Sequence, residues 1–292
     1  MYKIGAVVVV FNPNMEKLIS LVQRLVGLVD DVVVINNGFP LSDILGFPSS
    51  IWVLHSGQNI GVAAALNLGV RYLQQKHCSH AWSFDQDSLP GLCTLDELLL
   101  AWQAAPYAET VAAVAPGIQQ HQTALPLPFL VEDAHGKLQV KTLHRTEEIV
   151  AAITSGMLFR IDVWCTLGGA LEPLFIDHVD TEWCYRLRSA GWRILAVPSA
   201  SIDHQLGEPG PRLAWLGPHM IVRPPSRTYF MLRNGWLLGR MSNVHSGWQR
   251  YQRRQAFKII VVALMHGPQR WGQLKAILRA VFDARRNHSW IR

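Results

Sequence analysis

The chain has 292 residues, of which 49% are hydrophobic and 16% are charged, and its net charge is +6. That length allows one large α/β domain with an appendage, and the apolar content supplies a substantial core, which excludes a disordered or fibrous chain. The longest candidate apolar run, residues 259–265, is much too short to cross a bilayer.

The positive charge belongs to the last quarter of the chain. Residues 1–215 carry 13 Lys/Arg against 20 Asp/Glu, net −7, whereas residues 216–292 carry 14 against one, net +13. We therefore predict an α/β domain over residues 1–215 and a basic helical region over residues 216–292. A basic region binds phosphate on nucleic acid or on an anionic membrane, or is simply a solvated face.

The four cysteines, Cys78, Cys93, Cys165 and Cys184, lie far apart and show no Cys-x-x-Cys spacing. The chain also opens on a core strand rather than on a signal peptide. We therefore expect reduced, cytosolic thiols in core positions.

The first elements predict a parallel sheet. Residues 4–11 form a β-branched apolar run typical of a strand buried on both faces, residues 15–29 have a helical period, and residues 32–35 predict the next strand. This strand–helix–strand order implies a right-handed crossover. A third strand is expected over residues 51–55, followed by a helix from Val62 to about Gln75.

Small residues mark the start and the middle of that second helix, at Gly61 and Gly69 among others. Small side chains let the helix N-terminus and its free N–H groups approach a ligand. Tight packing of the helix on the sheet is the alternative.

The fourth strand ends abruptly at Asp85-Gln86-Asp87. An apolar run with this ending predicts a buried strand that carries two carboxylates to the edge of the sheet, where α/β folds bind ligands. Because alternate residues of an extended chain point the same way, Asp85 and Asp87 can face one cation. Two hard oxygen ligands suit Mg²⁺ or Mn²⁺. The alternative is an acidic turn that only ends the strand.

The middle of the chain predicts a helix over residues 92–104 and a strand over residues 110–115 that ends at Pro116-Gly117. Periodicity is then lost from Ile118 to Thr146, which indicates a long functional loop or lid. A short helix is expected over residues 161–167.

A helix is predicted from near Asp180 to Gly191, followed by a strand over residues 192–197. The positive end of the helix dipole helps keep Asp180 ionised, and an ionised carboxylate in a crevice can act as a base. The alternative is that Asp180 and Glu182 only cap the helix. His204 follows the strand and could return to the metal as a nitrogen ligand.

Eight segments in order carry a family resemblance. They are Val9-Val10-Phe11-Asn12, Asn36-Asn37-Gly38, Asn59-x-Gly61-x-x-x-Ala65-x-Asn67-x-Gly69, Asp85-x-Asp87, Ser155-Gly156, Phe175-Ile176-Asp177-x-x-Asp180-x-Glu182-Trp183, His204 and Arg227-Thr228-Tyr229-Phe230-Met231-Leu232-Arg233-Asn234. Together they resemble the inverting family 2 glycosyltransferases of the GT-A fold. Within that family they are most similar to the bacterial rhamnosyltransferases of O-antigen and related polysaccharide synthesis, over roughly residues 4–240.

The resemblance implies a GT-A catalytic domain, a Rossmann-like and mostly parallel sheet flanked by helices, that takes a dTDP- or UDP-sugar donor and a saccharide acceptor. Asp85, Asp87 and His204 would hold Mg²⁺ or Mn²⁺ on the donor diphosphate. Asp180 would take the proton of the acceptor hydroxyl, and Asp177 or Glu182 would position the acceptor. The implied donor-binding residues are Phe11, Asn12, Asn36, Asn59, Asn67, Asp85 and Gln86.

One position departs from the family pattern. Many relatives have Asp in a Val-Asp-Asn-Gly-Ser segment that holds the pyrimidine base, whereas this chain has Asn36, and Phe39 replaces the Ser. Asn36 can still accept a hydrogen bond from the base N3–H through its amide oxygen. Uracil and thymine both stay open, and the preference for L-rhamnose from dTDP-rhamnose rests on the resemblance alone.

Three helices are predicted in the basic region, over residues 226–241, 247–265 and 269–286. The last two mix Trp, Leu and Phe with Arg and Lys, a pattern typical of cationic amphipathic helices at a membrane interface. Such a surface would hold a cytoplasmic enzyme at the inner face of the membrane, beside a lipid-linked acceptor, as the resemblance also implies. Packing on the catalytic domain or in a homo-oligomer is the alternative. Because no groove-reading motif accompanies the charge, we expect no nucleic-acid partner.

Two other functions remain as alternatives. A nucleotidyltransferase normally begins with a Gly-rich phosphate loop and a Lys, and residues 8–14 contain neither. A non-catalytic nucleotide-sugar-binding protein of the same fold would be expected to lose Asp87 or Asp180, and both are present.

Overall fold

The computed structural model describes residues 2–38, 47–48, 50–119, 126–204, 222–286 and 288. The chain divides into two compact units. The sheet unit comprises Met1–Phe175 and Val179–Gln205, and the helical unit comprises Ile176–His178 and Leu206–Arg292. Phe39, one of the departures from the family pattern, lies outside the described residues.

The sheet unit alternates strands and helices along its first half. Its elements are β1 (Ile4–Val10), α1 (Met15–Val26), β2 (Asp31–Asn36), β3 (Ile51–His55), α2 (Gly61–Gln75), β4 (His80–Asp85), β5 (Ser88–Pro90), α3 (Thr94–Ala104), β6 (Val111–Gln119), β7 (Phe129–Glu132), β8 (Leu138–Lys141), β9 (Glu147–Glu148), β10 (Leu158–Arg160), α4 (Ile161–Thr166), α5 (Val179–Ser189) and β11 (Arg193–His204).

In the described residues, nine strands form one sheet in the order β3-β2-β1-β4-β10-β6-β11-β5, with β9 paired to β11. Strands β3, β2, β1 and β4 are mutually parallel, and β6 is parallel to β11. Strand β10 is antiparallel to both β4 and β6, so β4, β6 and β11 run in the same direction. The predicted mostly parallel α/β sheet is confirmed, and β4 and β11 end at the same edge.

The sequence accounts for where these elements form. All seven residues of β1 are buried, as expected for a central parallel strand. Helix α1 begins after Asn14, whose side chain accepts a hydrogen bond from the Lys17 N–H, and its buried face carries Leu18, Leu21 and Leu25.

Helix α2 packs tightly on the sheet, which is the second of the two interpretations of its small residues. A Cβ added at Gly69 would lie 2.4 Å from Cγ1 of Val7 on β1. At Gly61, which has a φ of +84°, an added Cβ would lie 2.7 Å from the carbonyl oxygen of Phe175. Larger side chains at these positions would therefore push α2 away from its neighbours.

Two strand predictions were too short. Strand β6 continues through Pro116 and Gly117 to Gln119, and β11 continues past Val197 to His204. The two strands stay paired because the register shifts between Val197 and Ser201. This irregularity accommodates Pro198 of β11 without ending the pairing.

The segment predicted as a long loop contains an antiparallel hairpin of β7 and β8. Its turn is closed by a hydrogen bond from the Gly136 N–H to the Asp133 carbonyl, and the Asp133 side chain accepts from the N–H groups of His135 and Lys137. Residues 120–125 of the predicted loop lie outside the described residues.

The prediction that all four cysteines lie in the core is wrong for Cys93, which is exposed, and Cys165 is half-buried. Cys78 and Cys184 are buried, and burial raises the pKa of each thiol to about 12. All four thiols are free in this structure.

The helical unit contains the three predicted helices, as α6 (Pro225–Leu238), α7 (Trp248–His266) and α8 (Arg270–Arg285). Their shared core is small and aliphatic, and it consists of Leu232, Ala256, Ile259, Ala263, Ile277 and Ala280. Among the described residues, no helix combines the length and the apolar character needed to cross a bilayer.

Candidate active site

Asp85, Asp87 and His204 come together at the carboxyl edge of the sheet. Asp85 ends β4, Asp87 lies in the turn before β5, and His204 ends β11. One ligand atom from each residue lies within 4.8 Å of the other two. The predicted pairing rested on alternation along a strand. That basis is corrected, because Asp87 lies in the turn and reaches Asp85 through it.

The geometry of this cluster suits a hard divalent cation. His204 Nε2 lies 4.0 Å from Asp85 Oδ2, and Nδ1 lies 3.6 Å from Asp87 Oδ1. The His204 side chain is only 7% exposed, whereas the two carboxylates are 45% and 36% exposed. Two carboxylates and one imidazole are ligands that Mn²⁺ and Mg²⁺ accept, with open positions left for phosphate and water.

A cavity of about 280 Å³ adjoins the cluster on the side of α1. Its lining includes Asp87 and His204 together with Asn14, Lys17 and Asp203. The cluster therefore faces open space rather than the core.

Gln86 joins the cluster to β1. Its side-chain oxygen accepts from the Phe11 N–H at 2.7 Å, and its amide nitrogen donates to the Phe11 carbonyl at 3.0 Å. This pair fixes the turn between Asp85 and Asp87. The Phe11 ring itself is 43% exposed, and Asn12 beside it is exposed with a φ of 46°.

Three other predicted donor-binding residues contact the protein itself. Asn36 is buried at the end of β2, and its amide nitrogen lies 3.2 Å from Nδ1 of His55. The Asn59 oxygen accepts from the Gly61 N–H at the start of α2. Asn67 exchanges hydrogen bonds with the backbone of Ala170, as acceptor at 2.7 Å and as donor at 2.9 Å. Their contact with a donor stays a prediction.

The acids of α5 differ in their surroundings. Asp180, the second residue of the helix, accepts hydrogen bonds from the backbone N–H and the hydroxyl of Thr181. Glu182 is 3% exposed and binds Arg186 through both oxygens, at 2.8 and 2.6 Å. The Glu182 carboxylate therefore holds an internal arginine, which also donates to the carbonyl of Leu167.

Asp177 belongs to the helical unit. Arg227 of α6 donates to both carboxylate oxygens of Asp177, at 2.9 and 2.6 Å. The Asp177 side chain is only 6% exposed. Asn234 of the same helix donates to the carbonyls of Ile176 and Asp177. The predicted role of Asp177 in acceptor positioning stays a prediction, and its carboxylate serves here as an anchor for α6.

A bacterial relative decides between the enzyme classes. The chain is 28% identical over 246 residues to the dTDP-rhamnosyl transferase RfbF of Shigella flexneri, across 82% of this chain and 81% of the relative. This likeness supports a family 2 glycosyltransferase, close to the rhamnosyltransferases. The chain matches no known family model.

Solved structures show that this glycosyltransferase has the GT-A fold. The structure of GalNAc-T7 with UDP, GalNAc and Mn²⁺ matches with a TM-score of 0.57 and 13% identity, over 92% of this chain but only 58% of that one. Residues 1–349 of TarS from S. aureus match with a TM-score of 0.58 and 11% identity, over 96% and 81% of the two chains.

Two serines of the glycosyltransferase site could not be assigned a role from the sequence. The Ser88 hydroxyl lies 2.7 Å from Nδ1 of His204 and 2.6 Å from the Ser155 hydroxyl. Ser155 belongs to one of the resemblance motifs, and Ser88 directly follows Asp87. The antiparallel pairing of β5 with β11 sets Ser88 opposite His204.

Proposed function

We propose that this glycosyltransferase transfers L-rhamnose from dTDP-rhamnose to a saccharide acceptor in cell-surface polysaccharide synthesis, with inversion at the anomeric carbon. The likeness to a dTDP-rhamnosyl transferase supports the donor. The Asp85–Asp87–His204 cluster is the single observation that supports the mechanism, because three side chains that could hold a cation lie together at the edge of the sheet.

Each acid has a separate task in this mechanism. Asp85, Asp87 and His204 would hold Mg²⁺ or Mn²⁺, which would supply positive charge for the leaving diphosphate. Asp180 takes the proton from the acceptor hydroxyl as that oxygen attacks the anomeric carbon. One base on the face opposite the leaving group is what single displacement requires. Glu182 keeps Arg186 in place instead of contacting substrate.

Replacement of one cluster ligand tests the metal site. Asp87→Ala removes one of the two carboxylates of the cluster, so we expect loss of Mn²⁺-dependent dTDP-rhamnose binding by calorimetry and loss of transfer. The matched control is Asp96→Ala, which removes an exposed acid from the first turn of α3 and should change neither.

The donor and the function class are tested in the same assay. A panel of dTDP-, UDP- and GDP-sugars is compared by donor hydrolysis with Mn²⁺, Mg²⁺ or EDTA. Faster hydrolysis of a UDP-sugar than of dTDP-rhamnose would overturn the proposed donor. Tight donor binding without hydrolysis or transfer would favour the non-catalytic alternative, and release of diphosphate from a nucleoside triphosphate would favour a nucleotidyltransferase.

We further propose that the helical unit binds the anionic inner face of the cytoplasmic membrane, where a lipid-linked acceptor would be reached. On α8, Trp271, Leu274, Leu278 and Phe282 recur at spacings of three and four residues, and they are 37% to 78% exposed. The opposite face of α8 is the buried one, with Gln273, Ile277, Ala280 and Ala284. Because α8 already buries its other face, this exposed apolar stripe indicates contact with a membrane or with another protein surface.

The charge of the helical unit favours a membrane, rather than a second copy of the chain, as the partner of this stripe. Exposed cations accompany the stripe on α8, and α7 adds an exposed Phe257 and Leu264 beside further cations. Such a surface complements anionic lipid headgroups, whereas two copies facing each other would place like charges together. The exposed cations of the two helices are Arg250, Arg253, Arg254, Arg270, Lys275, Arg279 and Arg285.

A further inference from the structure

A buried chain of hydrogen bonds runs behind the metal cluster. His204 Nδ1 lies 2.7 Å from the Ser88 hydroxyl, which lies 2.6 Å from the Ser155 hydroxyl. Ser155 in turn accepts the backbone N–H of Asp85 at 3.1 Å. His204, Ser88 and Ser155 are 7%, 2% and 1% exposed, so water does not replace these contacts.

The protons of these hydrogen bonds can be placed in two ways. A neutral imidazole has one N–H and one lone pair, so either Nδ1 donates to Ser88 or Ser88 donates to Nδ1. In the first case the proton is on Nδ1, and Nε2 presents its lone pair toward Asp85. In the second case Nε2 carries the proton and cannot bind a cation.

Two neighbours favour the first arrangement. The Asp87 carboxylate lies 3.6 Å from Nδ1, closer than the 4.0 Å between the Asp85 carboxylate and Nε2, and so attracts a proton on Nδ1 more strongly than Asp85 attracts one on Nε2. Ser155 can accept the Ser88 proton, because the hydroxyl oxygen of serine has two lone pairs and the Asp85 N–H takes only one. With this arrangement the Nδ1–H of His204 has the Ser88 oxygen as its acceptor, and the Ser88 hydroxyl has the Ser155 oxygen.

We propose that Ser88 is a positioning residue that holds the Nδ1–H tautomer of His204 and so leaves Nε2 free to bind the cation. This role rests on the metal site of the proposed function. A histidine that binds a metal usually donates its other ring N–H to a fixed acceptor, which sets both the tautomer and the ring orientation. Ser155 continues the same chain to the backbone of Asp85, so two metal ligands share one support.

Binding of Mn²⁺ alone to the full chain tests the role of Ser88 without any sugar. Loss of an acceptor behind a metal-binding histidine typically weakens metal affinity by about 10- to 100-fold. We expect that weakening in Ser88→Ala, measured by electron paramagnetic resonance of free Mn²⁺. The matched control is Ser79→Ala, because the Ser79 hydroxyl lies 2.9 Å from Nδ1 of His80 at the other end of β4 and should leave the affinity unchanged.

The tautomer is measured separately in the metal-free protein by ¹⁵N NMR of labelled histidines. The His204 signal is assigned by its absence in His204→Ala, and we expect the proton on Nδ1 in the wild type and its displacement from Nδ1 in Ser88→Ala. A wild-type proton on Nε2, or equal Mn²⁺ affinity in Ser88→Ala and wild type, would overturn the proposal. Absence of Mn²⁺ binding by the wild type would instead overturn the metal site, and this proposal with it.

Discussion

The three acids for which the sequence predicts a catalytic or acceptor-positioning role have different partners. Arginines bind both oxygens of Asp177 and of Glu182, whereas Asp180 accepts hydrogen bonds from the N–H and the hydroxyl of Thr181. A carboxylate that binds an arginine through both oxygens uses both of them in that contact, which leaves it less able to contact an acceptor hydroxyl. These contacts make Asp177 and Glu182 poor candidates for the base, which supports the proposed assignment of that role to Asp180.

Asp180→Asn is expected to reduce rhamnosyl transfer by about 10²- to 10⁴-fold, the usual contribution of a general base. Donor affinity should stay near the wild-type value, because the cation ligands are unchanged. Transfer is measured with a saccharide acceptor, and donor binding is measured by calorimetry.

Glu182→Gln is the comparison for that measurement. It keeps the shape of a buried side chain but weakens the ion pair with Arg186, so thermal stability should fall while transfer by the folded enzyme changes little. Full transfer activity in Asp180→Asn would remove Asp180 from the mechanism.

At the residue scale, the sequence predicts which side chains could bind a cation better than it predicts which distant residues contact each other. The Asp85–Asp87 pair can be predicted as a candidate cation site because the two carboxylates follow an apolar strand at the edge of the sheet where α/β folds bind ligands. The role of Ser88 cannot be predicted from its neighbours along the chain, because its partner His204 is 116 positions away and is reached only through β5 and β11. The same applies to Asn67, whose partner Ala170 is 103 positions away.

At the element scale, one segment of the helical unit depends on side chains of α6. Asp177 and His178 both have a positive φ, 65° and 62°, which is unfavourable for residues with a Cβ. Asn234, which is fully buried, donates to the carbonyls of Ile176 and Asp177, and Arg227 binds the Asp177 carboxylate. These contacts offset the backbone strain.

Asn234→Ala should therefore loosen the segment Ile176–His178. Loss of the donor leaves two carbonyls without this partner, and we expect about 1–3 kcal/mol of lost stability. Hydrogen–deuterium exchange of residues 176–178 measures the change locally. Ser226→Ala, at an exposed position of the same helix, is the control. Equal exchange in Asn234→Ala and wild type would show that the segment does not depend on Asn234.

Long periodic elements could be predicted, whereas the shortest strands could not. The three helices of the basic region and the strand–helix–strand start follow from apolar spacing, which local sequence determines. Strands β5, β9 and β10 have two or three residues each and exist only because partner strands pair with them. The Asp133–Gly136 turn of the hairpin has recognisable turn residues, but its flanking strands are too short to give a clear period.

At the scale of the whole molecule, charge and apolar exposure coincide in the helical unit. The sequence predicts α8 as a cationic amphipathic helix, and the structure divides its apolar residues between a buried face with Ile277 and an exposed face with Trp271 and Phe282. The sequence could not separate the two faces, because only the packing of α8 on α6 and α7 determines which one remains exposed. The exposed face is the one we assign to the membrane.

Trp271→Ser combined with Phe282→Ser removes two aromatic rings from that face and leaves the charge unchanged. Burial of a large apolar side chain contributes about 1.5–3 kcal/mol, so we expect binding to phosphatidylglycerol vesicles to fall by at least about tenfold. Binding is measured by co-sedimentation of the full chain. Leu100→Ser, at an exposed apolar position of α3 in the sheet unit, is the matched control and should bind as the wild type does.

Salt and lipid composition separate the electrostatic part of this binding from the apolar part. Binding of the wild type should weaken as ionic strength rises, because salt screens the attraction between the exposed cations and the headgroups. It should also be weaker on phosphatidylcholine vesicles, which carry no net charge. Equal vesicle binding by the double variant and the wild type would contradict the membrane assignment. If the double variant also converts a wild-type dimer to a monomer, the stripe is a subunit interface instead.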